Sequence, residues 1–101
     1  IGNQTPSIPV QEGSHSIAPK PIDYEARIFY GIPSKSPTLI QVYNLKGQKV
    51  RTILNETKDS GNFHLLWDAK DDQGSQLANG NYILRMDASG KVWTKKITIL
   101  H

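Results

Sequence analysis

The sequence predicts an all-β protein, an antiparallel β-sandwich of about six or seven strands. From about Ile22 onward, short runs of alternating apolar and polar residues recur, and turn residues separate them. No stretch of about 11 residues carries a helical apolar stripe. The longest candidate helix, 43–56, contains Gly47 and several β-branched residues. Parallel strands need long crossover connections, usually helices, so we expect antiparallel pairing.

The first two runs are bounded by residues that end strands. The run at 26–32 meets the proline-containing segment 33–37, and proline cannot donate a backbone hydrogen bond to a strand ladder. The run at 38–45 is followed by a turn in which Gly47 supplies a positive φ. We therefore expect two strands, each ended by a turn.

The third and fourth runs flank a polar segment, 55–62, that is predicted to be a loop. Val50 and Ile53 in the third run have an odd spacing, which indicates a β-bulge or a strand end near Arg51 and Thr52. The fourth run, 63–67, alternates cleanly and ends on Trp67. Its phase places Trp67 in the core as an anchor of the sandwich.

The last two runs, 81–88 and 91–100, follow a long polar connection, 68–79. Ser89 and Gly90 form a two-residue hairpin turn between them. Because alternate residues of a strand face the same side, the runs assign these residues to the core: Ile28, Tyr30, Ile32, Ile40, Val42, Phe63, Leu65, Trp67, Tyr82, Leu84 and Met86.

The N-terminal part of the chain has a different composition. Residues 1–21 contain four of the six prolines and no clear periodicity. Proline favours extended backbone at its own position and at the one before it. We therefore interpret 1–21 as a Pro/Ser-rich linker or a disordered end, and 22–101 as the folded domain. A linker at this place implies an upstream domain of the same polypeptide.

Composition excludes several classes of function. The chain has 101 residues and no cysteine, so it can form neither a disulfide nor a zinc-thiolate site and has no thiol nucleophile. It lacks a Gly-x-Ser-x-Gly elbow and a membrane-spanning apolar run. The net charge of +3 is spread along the sequence without a nucleic-acid-binding motif. We expect no catalysis, no cofactor, no nucleic acid and no small-molecule substrate.

The densest acidic cluster consists of Asp68, Asp71 and Asp72. A calcium loop of the EF-hand type needs carboxylates at alternate positions and a distant bidentate glutamate. This spacing differs, so a hairpin turn capped by the aspartates is favoured over a weak cation site.

The sixth run carries a candidate partner surface formed by Trp93, Lys95 and Lys96. An exposed Trp93 with Tyr43 or Phe29 nearby would suit a protein or a sugar, and the alternative is packing at a sheet edge. Lysines on an edge strand also prevent pairing with other chains.

Five segments, in this order and spacing, resemble a known family. They are IQVYNLKGQKVRTI at 40–53, SGNFHLLWD at 60–68, DDQG at 71–74, LANGNY at 77–82 and TKKITIL at 94–100. The sequence resembles the C-terminal Ig-like domains shared by the flagellar hook-capping protein and the sorting domains of type IX secretion cargo. Structural roles are therefore assigned to Trp67, Asp68, Gly47, Gly74, Gly80 and Tyr82.

The resemblance implies a non-catalytic C-terminal module of a larger exported bacterial protein, at the cell surface or outside the cell. Outer-membrane secretion machinery would read this module as a sorting or attachment domain. The alternatives are an interaction module, either hook-cap-like or packed on a neighbouring enzyme domain, and a carbohydrate-binding module. The chain departs from the family at Ala69, where glycine is usual, and at 18–22, which lacks the usual Asn and Phe.

Overall fold

The computed structural model describes residues 15–18 and 21–101. The remainder of the predicted linker, 1–14 and 19–20, lies outside the described residues. Within the described part of the chain, no helix is long and apolar enough to span a membrane.

Two sheets make up the fold. The four-stranded sheet has the order β4-β3-β6-β7, and the three-stranded sheet has the order β1-β2-β5. All neighbouring strands pair antiparallel, which confirms the predicted all-β antiparallel sandwich. The strands are β1 (His15–Ala18), β2 (Ala26–Ile32), β3 (Ser36–Asn44), β4 (Lys49–Lys58), β5 (Gly61–Trp67), β6 (Gly80–Ala88) and β7 (Lys91–Ile99).

Strand β1 lies inside the segment 1–21 that the sequence assigns to a linker, so that assignment is corrected for 15–18. β1 pairs with β2, and Ile17 stands opposite Ile28. The side chain of Ile17 is only 3% exposed. Ile17 is the one large apolar residue of 15–18, so this short segment shows no periodicity and its composition conceals a strand.

Strand β4 contains the predicted bulge and extends further than expected. Its register with β3 shifts twice, so that Ile53 and Val50 have no direct partner on β3. β4 then continues to Lys58, which shows that the predicted loop at 55–62 is wrong. Polar residues such as Glu56 are tolerated here because β4 is an edge strand with one side open to solvent.

The core lies between the sheets and follows the predicted alternation. Trp67 is 1% exposed, and Tyr30 stacks on Phe63 with ring centroids 5.6 Å apart. Phe63 and Leu65 are partly buried against this core. The other residues that alternation assigns to the core are all buried: Ile28, Tyr30, Ile32, Ile40, Val42, Tyr82, Leu84 and Met86.

A parallel bridge connects Ile22 to Ile99 at the outer edge of β7. The amide of Ile22 donates to the carbonyl of Thr98, and the amide of Leu100 donates to the carbonyl of Ile22, both at 2.8 Å. Ile22 and Ile99 are fully buried. This bridge fastens the segment before β2 to the end of the last strand.

Candidate functional site

The connection 68–79 is ordered by its own aspartates. The Oδ1 atom of Asp71 accepts hydrogen bonds from the amides of Gln73, at 3.0 Å, and Ser75, at 2.9 Å. The Oδ1 atom of Asp68 accepts one from the amide of Lys70, at 3.2 Å. Such bonds are typical of Asx turns, so the carboxylates of Asp68 and Asp71 cap turns of the connection.

Arg51 on β4 fastens this connection to the sheet. Its Nη1 atom lies 3.3 Å from Asp68 Oδ1 and donates to the carbonyls of Lys70, at 3.1 Å, and Asp71, at 3.2 Å. A guanidinium has several donors in a fixed plane, so one side chain can serve several acceptors. Arg51 therefore links three residues of the connection to one strand.

Asp72 docks the same connection on the bulged part of β4. Its amide donates to the carbonyl of Val50 at 3.0 Å, and its Oδ1 accepts from the amide of Thr52 at 3.1 Å. The extra residue at Val50 breaks the regular ladder with β3. The bulge thus offers backbone groups to the connection instead of to a neighbouring strand.

The three aspartates of the candidate cation site therefore bond to separate donors. Asp68 faces Arg51, Asp71 caps its own turn, and Asp72 holds the edge of β4. Among the described residues, no group of three or more acidic or histidine side chains is placed to hold a metal ion.

Trp67 and Tyr82 join the core to neighbouring loops. The Nε1 atom of Trp67 donates to the carbonyl of Lys70 at 3.2 Å, and the hydroxyl of Tyr82 donates to the carbonyl of Ala78 at 2.7 Å. Burial raises the pKa of the Tyr82 hydroxyl. Burial also raises the pKa of Tyr30, and the nearby carboxylate of Glu56 adds to this effect.

Backbone conformation accounts for the glycines and for the Ala69 departure. Gly47 has the positive φ predicted for its turn, and Gly74 and Gly80 also have positive φ. Ala69 also has a positive φ, of 56°, which explains why glycine is usual at this position. The methyl group of Ala69 is fully buried, so packing contributes to offsetting the cost of the backbone conformation.

Trp93, Lys95 and Lys96 do not form one surface. Trp93 is partly buried against the core and lies beside Met86 on the inner face of β7, as edge packing predicts. Lys95 shares the phase of Trp93, whereas Lys96 points to the opposite, solvent-facing side of the sheet. β7 is an edge strand, which agrees with a protective role for its lysines.

The outer face of the four-stranded sheet carries an exposed apolar area that the sequence does not reveal. Leu45 is 64% exposed and Val92 is 50% exposed. Both line a shallow depression of about 600 Å³, together with Tyr43, Ile83 and Arg85. These residues come from three different chain segments, so sequence spacing alone could not bring them together.

Exposed or partly exposed aromatic residues are dispersed over the described surface. Phe29 lies beside His64 on the outer side of the three-stranded sheet, with ring centroids 5.9 Å apart. Tyr43 lies on the four-stranded sheet. Tyr24 stacks on His101 with centroids 4.9 Å apart. This arrangement differs from the aligned platform expected for a carbohydrate-binding module.

Comparison with protein families gives one match. The FlgD Ig-like domain family matches residues 25–91. This range includes all of β2 to β6 and the connection 68–79. No curated protein sequence is similar enough to this chain to count as a match.

Several solved structures share the fold, and three of them are described here. PorU of Porphyromonas gingivalis, described as dimeric and latent, has a TM-score of 0.73 and 18% identity, over 87% of this chain and 9% of PorU. FlgD of P. aeruginosa has a TM-score of 0.58 and 23% identity, over 85% of this chain and 72% of FlgD. PorZ, described as a surface component of the P. gingivalis type IX secretion system, has a TM-score of 0.58 and 13% identity, over 86% of this chain and 11% of PorZ.

Proposed function

This chain belongs to the FlgD Ig-like domain family, and from that premise we propose that it is a non-catalytic module of an exported bacterial protein. Its role is that of a sorting and surface-attachment domain for type IX secretion. An upstream domain of the same polypeptide carries the activity, and the partner is the outer-membrane secretion machinery. The location is the cell surface or the extracellular space.

The similarity to PorU carries this proposal. The match reaches a TM-score of 0.73 over 87% of this chain, although it covers only 9% of PorU. PorZ, which is described as a type IX surface component, has the same fold over 86% of this chain. At identities of 18% and 13% these likenesses concern the fold, and fold does not by itself determine function.

A reporter fusion tests the sorting role. The complete chain, residues 1–101, is attached to the C-terminus of a periplasmic reporter in a bacterium that has the type IX system. We expect the reporter on the cell surface or in the medium, and in the periplasm of a strain that lacks the translocation machinery. Retention in the periplasm of both strains would contradict the proposal, provided that protease resistance shows the fused domain to be folded.

An interaction module is the second candidate, and the outer face of the four-stranded sheet supports it. Leu45 and Val92 are large apolar side chains that remain exposed, and both line the depression on this face. A surface of this kind is typical of a protein contact. If the fusion is exported independently of the type IX machinery while this face still binds a partner, the interaction role is favoured.

A further inference from the structure

We propose that the outer face of the four-stranded sheet binds an acidic segment of another protein, one that presents apolar side chains between carboxylates. Tyr43, Leu45, Ile83, Arg85 and Val92 form the binding surface. The apolar and charged side chains of this face would bind such a segment whether or not the domain has a sorting role.

The apolar side chains of the face come from three neighbouring strands or their ends, and the Arg85–Thr94 pair lies between Ile83 and Val92. Tyr43 on β3 stands directly opposite Ile83 on β6, and both side chains are half-buried. Leu45 extends this strip past the end of β3, and Val92 lies at its other side on β7, where both line the depression. An apolar partner side chain placed there would remove Leu45 and Val92 from water, which favours association.

The charges around this strip are mainly positive. Strand register places Lys49 and Lys96 on the same face, one at each end of the row that contains Tyr43 and Ile83. Both lysines are exposed. Carboxylates on either side of an apolar partner residue would therefore meet a cation at each end of the row.

Arg85 is placed to bind a carboxylate of the partner. Its Nη2 atom lies 3.9 Å from Asp87 Oδ2, and the two side chains are 39% and 45% exposed. This is a long and solvated ion pair, which contributes little to stability. A planar guanidinium can hold a further carboxylate in a bidentate arrangement, and Arg85 lines the depression itself.

Charge also favours an acidic segment over a second copy of this chain as the partner. The protein has a net charge of +3, so two copies brought together at a face dominated by Lys49, Arg85 and Lys96 would repel each other. A plain polyanion would use the cations and leave the apolar strip exposed. An acidic and apolar protein segment uses both parts of the surface.

The experiment is a titration of the full chain, observed by NMR through its backbone amides, with a synthetic peptide of two leucines flanked by glutamates. We expect shifts concentrated at Leu45, Ile83 and Val92. Arg85→Glu and Leu45→Ser should each weaken binding about tenfold. Arg27→Glu and Leu66→Ser are matched controls on the outer side of the three-stranded sheet, where Leu66 is 55% exposed, and they should leave binding unchanged.

Two control peptides define the chemistry. Replacing the leucines with serine, or the glutamates with glutamine, should each abolish most of the binding. Absence of shifts at millimolar peptide overturns the inference, as does equal weakening by the control variants or unchanged binding by Arg85→Glu. Equal affinity for the serine peptide would identify a general polyanion surface instead. Shifts that depend on protein concentration without peptide would identify self-association.

Discussion

The indole of Trp67 donates its hydrogen bond to the carbonyl oxygen of Lys70, 3.2 Å away. This residue lies three positions ahead, in the connection that Arg51 and Asp72 hold against β4. Trp67 itself is 1% exposed, so its ring fills the core while its single polar group orders a loop. One side chain thus links the interior of the sandwich to its longest connection.

Replacing Trp67 with alanine should lower the free energy of unfolding by about 3–5 kcal/mol, because the large buried ring would be lost. A typical domain has about 5–15 kcal/mol in total, so this variant could be largely unfolded. Urea denaturation followed by circular dichroism measures the change. Trp93→Ala is the matched control and should cost less, since Trp93 is only partly buried. A loss below about 1 kcal/mol for Trp67→Ala would contradict the core assignment.

Replacing Arg51 with alanine should release the connection 68–79 from β4. The hydrogen bonds to the carbonyls of Lys70 and Asp71 would be lost, at a cost of about 1–2 kcal/mol. The substitution should increase the hydrogen-exchange rates of amides in the connection more than those of amides in β2. Lys49→Ala, on the same strand, should leave both measurements unchanged. If the amides of the connection exchange equally fast in Arg51→Ala and in the unaltered protein, this role of Arg51 is refuted.

Replacing Ile17 with alanine tests whether β1 is part of the fold. The side chain is 3% exposed and belongs to the core cluster, so we expect a loss of about 2–4 kcal/mol in unfolding free energy. The milder Ile17→Val should cost about 0.5–1.5 kcal/mol. Chemical denaturation of both variants gives the comparison. If neither differs from the unaltered protein, the segment acts as a linker after all.

Stability should fall in alkaline solution because of Tyr30 and Tyr82. Burial raises the pKa of each hydroxyl above 10.0 in the folded protein, whereas in the unfolded chain the hydroxyl ionises near its usual value. The unfolded state therefore loses its proton first as the pH rises. The contribution is fully present below pH 10.0 and decreases as the pH rises above that value. Urea midpoints measured from about pH 8 to about pH 11 would show the decline.

Two phenylalanine variants assign this decline to its sources. Tyr30→Phe should leave stability at neutral pH almost unchanged and make the alkaline decline shallower. Tyr82→Phe should do the same at high pH, but it should also cost about 1 kcal/mol at neutral pH, since it loses the 2.7 Å hydrogen bond to Ala78. An identical alkaline slope in both variants and in the unaltered protein would show that other groups cause it.

Much of the sandwich could be predicted because strand alternation is a local property. One polar residue separates Ile40 from Val42, and another separates Leu84 from Met86. This alternation indicates which face of each strand is buried. The odd spacing of Val50 and Ile53 likewise predicted the irregularity that the register with β3 shows. In each case the information lies within a few residues of the chain.

What could not be predicted depends on residues far apart in the sequence. Ile17 is a single apolar residue, and only its pairing opposite Ile28 shows that it belongs to a strand. The segment 55–58 looks like a loop because both of its faces are polar, yet it completes the edge strand β4. Nothing in the sequence around Arg51 indicates that its side chain bonds to the connection 68–79. The depression beside Arg85 exists only when β3, β6 and β7 lie side by side.

The bridge between Ile22 and Ile99 also sets an order of events for a chain that is made or threaded from its N-terminal side. Ile22 can obtain its two hydrogen bonds only from Thr98 and Leu100, which leave the ribosome or a translocation pore long after it. Until then the amide and the carbonyl of Ile22 can form their hydrogen bonds only with water. Contacts between such distant residues also make folding slow, typically milliseconds to seconds for sandwiches. The protein therefore has an interval, after Ile22 is made and before Leu100 is, in which the domain cannot complete its fold.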